Sequence, residues 1–247
     1  ASRMPRVVVV SENSIQDIHT DMGVDLDRMR LVPVGVDPDL FRPIEGIARR
    51  PGRLITTASA DVALKGLAYL LEAMATLRAQ GRDISLTVIG RAKPGRSMDM
   101  IERFGLAPHI EFVSGVSDER IVELYSEAEM AVVPSLYEGF SLPAIEAMCS
   151  GTPLVATDGG ALPEVTGTDG ETVFRCRAGD ADHLAATIAT ALDDPVARER
   201  IGAAGRQRVV DRWTWRRCAE LTVDQYREVL DMPANRDKAA RNGRPRC

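Results

Sequence analysis

Short apolar runs alternate with segments of helical periodicity along most of this chain of 247 residues. The runs at 54–58, 84–89 and 130–133 are too short for buried helices and suit strands that are buried on both faces. Between the first two runs, apolar residues recur at the spacing of one helix face: Leu67, Leu70, Leu71, Met74 and Leu77. Strands that alternate with helices predict an α/β fold with a doubly wound parallel sheet. Ligands of such sheets bind beyond the carboxyl ends of the strands.

The same patterns predict the remaining elements. Further strands are predicted at 6–10, 29–34, 110–113, 154–156 and 172–174. Further helices are predicted at 14–22, 98–104, 121–128, 184–192 and 215–229, and Ser117 is a candidate cap for the third of them. Turns that contain glycine follow several strands and should cluster at the carboxyl edge: Gly90, Gly115, the 138–140 turn and Gly159-Gly160.

The charge balance argues against a polyanionic partner. Lys and Arg number 31 and Asp and Glu number 36, which gives a net charge of −5 at pH 7. We therefore expect neither a nucleic-acid partner nor a general basic membrane patch. No apolar run approaches the roughly 18 residues of a membrane helix, so no transmembrane segment is predicted. The four cysteines lack metal-binding spacing, and reduced thiols in the cytoplasm are the simplest interpretation.

The stretch PSLYEGFSLPAIEAM at 134–148 carries two carboxylates, Glu138 and Glu146, around the start of a predicted helix. Pro143 suits the first helical position and Gly151 suits the stop. Free backbone amides at a helix start form an anion site that the helix dipole strengthens. Glu138 lies just outside the helix and Glu146 about one turn inside it. A phosphate at the helix tip between two carboxylates suits a sugar joined to a nucleoside diphosphate.

This stretch resembles the donor-site signature of glycosyltransferase family 4, whose members are retaining enzymes of the GT-B fold. The resemblance depends on Glu-x7-Glu inside PS-x-x-EGF-x-LP-x-x-EAM-x-x-G-x-P, because the glutamate spacing alone is common by chance. A strand, a turn and a capped helix with two solvated glutamates would be the structural alternative, but it does not account for the Gly, Phe, Ser and Pro positions. The resemblance implies the Rossmann-like C-terminal half of a GT-B fold.

The resemblance also implies a domain organisation. Segment 7–41, with SENS and VPVGVDPDLF, resembles the end of the family's N-terminal domain and the interdomain linker, although Val34 stands where the family usually has asparagine. The implied parts are a remnant of the N-terminal acceptor domain at 1–36, a linker at 37–50, a nucleotide-sugar donor-binding domain at 51–232 and a polar tail at 233–247 that is predicted to be disordered. Most of the acceptor domain is expected to lie outside this chain.

Each site role follows from the resemblance. Lys65 would bind the donor phosphates and stabilise the leaving group, and Glu138 would bond the hydroxyls of the donor sugar, so these two are the candidate catalytic residues. Glu146 would bond the ribose hydroxyls, and the base would lie near Gly90 and Arg91 and near Val116. The implied donor contacts are Lys65, Arg91, Val116, Glu138, Gly139, Phe140, Ser141, Leu142 and Glu146. We expect no metal and no cofactor other than the UDP- or GDP-linked donor.

Several assignments stay open. The family's phosphate-binding Gly-Arg pair is absent from 57–61, and Arg91, Arg96 or Ser59 with backbone amides are candidate substitutes. Lys65 could instead point into solvent, and Glu164 could be a ligand contact or a helix cap. Trp213 and Trp215 are predicted to start the last helix and to pack, with Trp215 at the head of its apolar stripe. His19, His109 and His183 are isolated, and none is expected to be a catalytic base.

The resemblance implies retaining transfer of a hexose from a UDP- or GDP-sugar to a hydroxyl acceptor. A sugar or lipid-linked acceptor would be held by the absent domain, in the cytoplasm or peripherally at the inner membrane face. This chain alone is expected to bind nucleotide with little or no turnover. The alternatives are another GT-B enzyme, such as a sugar-nucleotide 2-epimerase, and a non-catalytic module that binds a sugar nucleotide or a partner. The resemblance also implies that the last helix braces the absent domain, and the apolar surface that this helix and strand 7–10 then expose predicts self-association.

Overall fold

A computed structural model describes residues 4–58 and 62–233. The strands are β1 (Val7–Val9), β2 (Met29–Leu31), β3 (Arg50–Thr57), β4 (Ser85–Ile89), β5 (Ile110–Val113), β6 (Ala128–Val133), β7 (Leu154–Thr157) and β8 (Phe174–Cys176). The helices are α1 (Glu12–Met22), α2 (Leu67–Ala79), α3 (Arg96–Arg103), α4 (Asp118–Glu127), α5 (Leu142–Cys149), α6 (Leu162–Thr166), α7 (Ala181–Asp193), α8 (Pro195–Arg212) and α9 (Trp215–Asp231).

The main sheet has six parallel strands in the order β5-β4-β3-β6-β7-β8. Adjacent residues of one strand face opposite layers: Leu54 contacts the core under α2, α3 and α7, and Ile55 contacts the core under α4, α5 and α6. Both side chains are fully buried, which contributes about 1.5–3 kcal/mol each. The predicted doubly wound parallel sheet is therefore confirmed, and the order of the strands reverses between β3 and β6.

A second, smaller unit precedes this sheet. Strands β1 and β2 pair in parallel, and together with α1 they surround a core of Val9, Val24 and Met29. The junction between α8 and α9 contacts the segment that leaves this unit, because Val36 pairs with Thr214. A side chain at Gly35 would come within 2.2 Å of the Thr214 backbone, so only glycine permits this approach.

The element boundaries differ from the predictions where polar contacts end a strand or start a helix. Strand β8 covers Phe174–Cys176 instead of 172–174, because the Thr172 hydroxyl bonds the Thr166 carbonyl in a turn. Helix α5 begins at Leu142, one residue before Pro143. The linker prediction ends within the sheet, since β3 already begins at Arg50.

Helix α8 is the largest element that the periodicity analysis missed. It buries two glycines, Gly202 and Gly205, beside Ile201 and Val209. A side chain at Gly202 would come within 2.6 Å of the Gly151 carbonyl, so this helix packs through close backbone approach. The apolar stripe is weak for that reason. Asp194 and Pro195, the N-cap and first residue, were the available signals.

The two tryptophans have different environments. Trp213 precedes α9 and is buried, so its predicted packing role is confirmed, whereas Trp215 is 51% exposed. The prediction that Trp215 heads a packed stripe is therefore wrong. Val223, Tyr226 and Leu230 of α9 are exposed too, as is Val8 of β1. Apolar surface is thus present where it was expected, and self-association stays a prediction.

Three smaller observations complete the fold. Cys149 is fully buried, and burial raises the pKa of its thiol to about 11, which agrees with a packing role. No helix in ranges 4–58 and 62–233 has the length and apolar character needed to cross a membrane. The predicted disordered tail lies outside the described residues, apart from position 233.

Candidate functional site

Lys65 and Glu138 meet where the order of the strands reverses. Lys65 follows β3 and Glu138 follows β6, and these strands are neighbours in the sheet. The Lys65 Nζ donates to Oε1 and Oε2 of Glu138 at 2.8 and 3.0 Å. The Ser135 hydroxyl donates to Oε1 at 2.7 Å. The Glu138 side chain is only 9% exposed, so neither residue is the freely solvated side chain of the structural alternative.

Close backbone contacts hold the two loops together. Gly66 has φ +68°, and an added Cβ would come within 1.9 Å of the Pro134 carbonyl oxygen. Next to it, the Leu136 amide donates to the Leu64 carbonyl at 2.8 Å. Only glycine allows both the backbone angle and the approach. The position of Lys65 relative to Glu138 is therefore set by backbone packing.

The start of α5 is strained and lacks a cap. Ser141 has φ +94° and is the only non-glycine residue with positive φ in the described part of the chain. Such a conformation costs about 1–3 kcal/mol. Its hydroxyl is buried and has no hydrogen-bond partner among those residues, and no side chain caps the helix. Backbone strain and an unpaired buried hydroxyl thus coincide at the predicted anion site.

Four consecutive backbone amides at this helix start are also unpaired. Within ranges 4–58 and 62–233, no hydrogen bond is donated by the amides of Gly139, Phe140, Ser141 or Leu142. The first amides of an α-helix have no intrahelical partner, and no side-chain cap among the described residues replaces one here. The positive end of the α5 dipole lies at the same place. This arrangement can accept a phosphate group, and no acceptor within the described part of the chain competes for these amides.

The Phe140 side chain anchors this turn in the core. Its ring packs edge-on against Trp213, with centroids 5.4 Å apart and planes at 88°. The indole Nε1 of Trp213 donates to the Val165 carbonyl at 3.3 Å. Trp213 lies at the α8–α9 junction and Val165 in α6, so these elements hold the Phe140 ring in place. The resemblance implied only a backbone role for Phe140, and this side-chain contact is an addition to it.

Glu146 lies in a half-buried position on α5. Burial raises the pKa of its carboxyl, and the nearby Asp118 charge raises it further, while the Tyr125 hydroxyl opposes the shift. Tyr125 itself is fully buried, with its hydroxyl 3.3 Å from the Thr57 hydroxyl. A carboxylate in this environment gains from hydrogen-bond donors that a ligand brings.

The remaining predicted contacts lie on the same edge without joining the Lys65–Glu138 pair. Arg91 follows β4 and is exposed, and Val116 follows β5 and is half-buried. Arg96, the first residue of α3, is exposed and lines a crevice with Leu67 and Leu136. Ser59 lies outside the described residues. Which group replaces the family's arginine therefore stays a prediction.

Glu164 is a helix cap for α1. Both of its carboxylate oxygens accept from the Glu12 amide at 3.0 Å, and one accepts from the Asn13 amide at 3.3 Å. The sequence left open whether Glu164 contacts a ligand or caps a helix, and the structure shows the helix cap. The sequence analysis missed this link because 152 positions separate Glu12 and Glu164.

Two serines of α1 contact the motif itself. The hydroxyls of Ser11 and Ser14 donate to the Gly139 carbonyl at 2.6 and 3.2 Å. Both serines belong to the SENS motif, which the sequence analysis used only as part of the family resemblance. This motif was the available signal that the two serines contact the site. None of the three histidines belongs to the Lys65–Glu138 cluster. In the described residues, no group of three or more His, Cys, Asp and Glu side chains could hold a metal ion.

Fold and site together define a doubly wound α/β protein with an uncapped helix start, a cation and two carboxylates at the topological switch point. A family model described as glycosyl transferases group 1 matches residues 44–208. The chain belongs to this family, and its fold is the predicted Rossmann-like GT-B type.

Two curated relatives and one solved structure illustrate the similarity. An MMP alpha-(1->4)-mannosyltransferase from Mycolicibacterium hassiacum is 44% identical over 231 residues, which are 93% of this chain and 56% of the relative. A D-inositol 3-phosphate glycosyltransferase from Streptomyces griseus is 31% identical over 88% of this chain and 50% of its own length. Sucrose-phosphate synthase from Thermosynechococcus elongatus has a TM-score of 0.81 and 27% identity over 93% of this chain and 59% of its own. The chain thus spans about half the length of the curated relatives it matches.

Proposed function

We propose that this chain is the donor-binding part of a retaining glycosyltransferase of family 4. The full enzyme transfers a hexose from a nucleoside-diphosphate sugar, linked to UDP or GDP, to a hydroxyl acceptor. The observation that carries the proposal is the row of amides at 139–142, which have no acceptor among residues 4–58 and 62–233 and lie next to the Lys65–Glu138 pair. The name of the mannosyltransferase relative makes mannose the first hexose to test.

The proposed chemistry assigns one role to each charged group. Lys65 leaves Glu138 to bind the donor diphosphate, which also contacts the start of α5. Glu138, released from the lysine, accepts hydrogen bonds from the sugar hydroxyls, and Glu146 accepts from the ribose hydroxyls. The bond from the anomeric carbon to phosphate breaks, and a bond to the acceptor oxygen forms on the same face. The leaving diphosphate takes the acceptor's proton, and Lys65 stabilises its charge.

The domain assignment is part of the proposal. Residues 1–36 form the end of an N-terminal acceptor domain, 37–50 a linker, and 51–232 the donor-binding domain. The separate β1–β2 sheet and its own core support this division. We place the full enzyme in the cytoplasm, with the inner membrane face as a second location if the acceptor is lipid-linked.

A titration of this chain with UDP, GDP and ADP tests the donor site. Ligand at about a hundred times Kd should raise the unfolding free energy by about 2.7 kcal/mol. The proposal expects stabilisation by one nucleotide, lost in Lys65→Ala and Glu146→Ala. Stabilisation by none of the three would overturn it.

Product analysis of the full-length enzyme tests the reaction class. A new glycoside with the anomeric configuration of the donor is the expected result. An epimerised sugar nucleotide would instead identify a 2-epimerase, and binding without any product would identify a non-catalytic module.

A further inference from the structure

The first turn of α1 holds the backbone of the motif turn at one atom. Two hydroxyls, from Ser11 and Ser14, donate to the carbonyl oxygen of Gly139. The two hydroxyl oxygens also lie 2.9 Å from each other, but each hydroxyl carries one proton and the carbonyl oxygen has two lone pairs, so both protons can be directed to Gly139. Ser11 is fully buried, and its 2.6 Å contact is the shorter one. This part of the motif is therefore fixed by residues more than a hundred positions away in the chain.

Fixing that oxygen also fixes the next amide. In a planar trans peptide, the carbonyl of Gly139 and the amide hydrogen of Phe140 point in opposite directions, and the described residues contain no cis peptide bond. The Phe140 amide is one of the four unpaired donors at the start of α5. Ser11 and Ser14 thus determine where this donor points.

The turn needs such external support. Gly139 has the widest conformational freedom of any residue type, and Ser141 is held in a strained conformation. The peptide between Gly139 and Phe140 would otherwise rotate readily. Loss of the two serine contacts should therefore reorient the Phe140 amide without unfolding the domain.

Helix α1 is itself anchored between these two serines and one turn beyond them. The Glu164 carboxylate accepts from the Glu12 and Asn13 amides. The Tyr137 hydroxyl bonds the Asp17 carboxylate, and this bond raises the pKa of Tyr137. Since α1 is held at both its first turn and its middle, the hydroxyls are presented in a set place.

We propose that Ser11 and Ser14 are positioning residues of the donor site. They orient the Gly139–Phe140 peptide so that the Phe140 amide bonds the diphosphate of the nucleotide. This inference rests on the proposed function, because it concerns how the same site recognises its ligand. The serines touch neither the ligand nor the reacting atoms.

The variants Ser11→Asp and Ser14→Ala distinguish a role in orienting the Gly139–Phe140 peptide from a role in capping α1. Ser11 is also the N-cap of α1, since its oxygen accepts from the Ser14 amide at 3.0 Å. Ser11→Asp keeps a capping acceptor but has no hydroxyl proton for Gly139. Ser14→Ala removes the other donor, and Ser14→Thr restores it. Asp194→Ala is the matched control, because it removes the N-cap of α8 at the opposite edge of the sheet.

Calorimetric titration of the 247-residue chain gives the first readout. The probes are the nucleoside, its monophosphate and its diphosphate, with the base that the wild type binds most tightly. We expect Ser11→Asp and Ser14→Ala to weaken diphosphate binding about tenfold and to leave nucleoside binding unchanged, since one hydrogen bond is lost. Ser14→Thr and Asp194→Ala should bind as the wild type does.

Amide NMR of protein labelled at its five phenylalanines gives a second readout that a general loss of stability would not mimic. The diphosphate should shift the Phe140 amide proton downfield in the wild type and not in Ser14→Ala. Unchanged diphosphate affinity and an unchanged Phe140 shift in both variants would overturn this inference alone. A wild type that binds no nucleoside diphosphate would overturn the proposed function, and this inference with it.

Discussion

The two ends of helix α5 are built in opposite ways. At its first residues, Ser141 has a strained φ of +94°, and among the residues that the structure describes no side chain caps the helix and no acceptor pairs with the amides of the preceding turn. At its last residues, Arg206 donates to the Cys149 carbonyl, and Arg49 donates to the Gly151 carbonyl at 2.7 Å. Cations suit the negative end of a helix dipole, so this end is satisfied within the protein.

The difference between the two ends of α5 shows where this domain carries backbone strain and unpaired polar groups. At the carboxyl edge of the sheet, the start of α5 retains strain and unpaired donors, whereas at the amino edge the carbonyls at the end of α5 accept from Arg206 and Arg49. Sites that bind a ligand commonly carry such strain, which the surrounding structure must offset. Changes at the carboxyl edge should therefore alter binding, with or without a change in stability, whereas changes at the amino edge should alter stability alone.

The largest expected effect tests the close approach at the carboxyl edge. Gly66→Ala should lower the unfolding free energy by about 3 kcal/mol, because a positive φ costs about 1–2 kcal/mol and overpacking adds about 1–3. Gly105→Ala is the control, since Gly105 has φ +65° with no atom within 4 Å of an added Cβ. Denaturant unfolding measures both, and equal losses would show that the Pro134 contact is unimportant.

Lys65→Ala tests the charge at the same edge. Turnover of the full-length enzyme should fall about a hundredfold or more, by analogy with the about 2.7–4 kcal/mol lost when a transition-state donor is removed. Arg227→Ala, which removes an exposed cation of α9, should leave turnover unchanged. Steady-state kinetics check both, and near-native turnover of the lysine variant would refute its catalytic assignment.

Arg206→Ala tests the opposite edge. The carbonyls of Phe41 and Cys149 would lose their guanidinium donor, which should lower the unfolding free energy by about 1–3 kcal/mol. Nucleotide affinity should stay that of the wild type. Weaker nucleotide binding by a folded variant would contradict the assignment of binding to the carboxyl edge and of stability to the amino edge.

Ser141→Gly should increase the unfolding free energy, whereas most substitutions decrease it. Glycine adopts positive φ without strain, so the unfolding free energy should rise by about 1 kcal/mol. Diphosphate binding should weaken, because the buried hydroxyl is lost. Thermal unfolding and titration together decide this, and a variant that is both less stable and equally able to bind would contradict the strain argument.

The smallest effect concerns pH. The folded-state pKa of Glu146 is raised above its ordinary value of 4.5, so its contribution to stability is present below that value and is lost as pH rises through the folded pKa. Glu146→Gln should therefore be more stable than the wild type at pH 7 and equally stable at low pH. Nucleotide affinity of the wild type should fall as the carboxylate is protonated. A pH-independent difference between the two proteins would argue against this shift.

Much of the fold was predictable because its signals are local. Continuous apolar runs identified the strands of the main sheet, and Ser117 was correctly placed as the cap of α4. Helix α8 was missed because Gly202 and Gly205 pack by close approach and leave no apolar stripe. Trp215 was misjudged since periodicity cannot tell which face of a terminal helix another element covers.

The sequence by itself determined the parallel α/β sheet and the motif that follows β6, because both depend on neighbouring residues. Only the tertiary structure decided which distant groups meet there. It paired Lys65 with Glu138, placed Ser11 and Ser14 on Gly139, and made Glu164 a cap for α1. The physical reason is that strand order and loop packing bring together groups far apart in the chain, and no local pattern records those contacts.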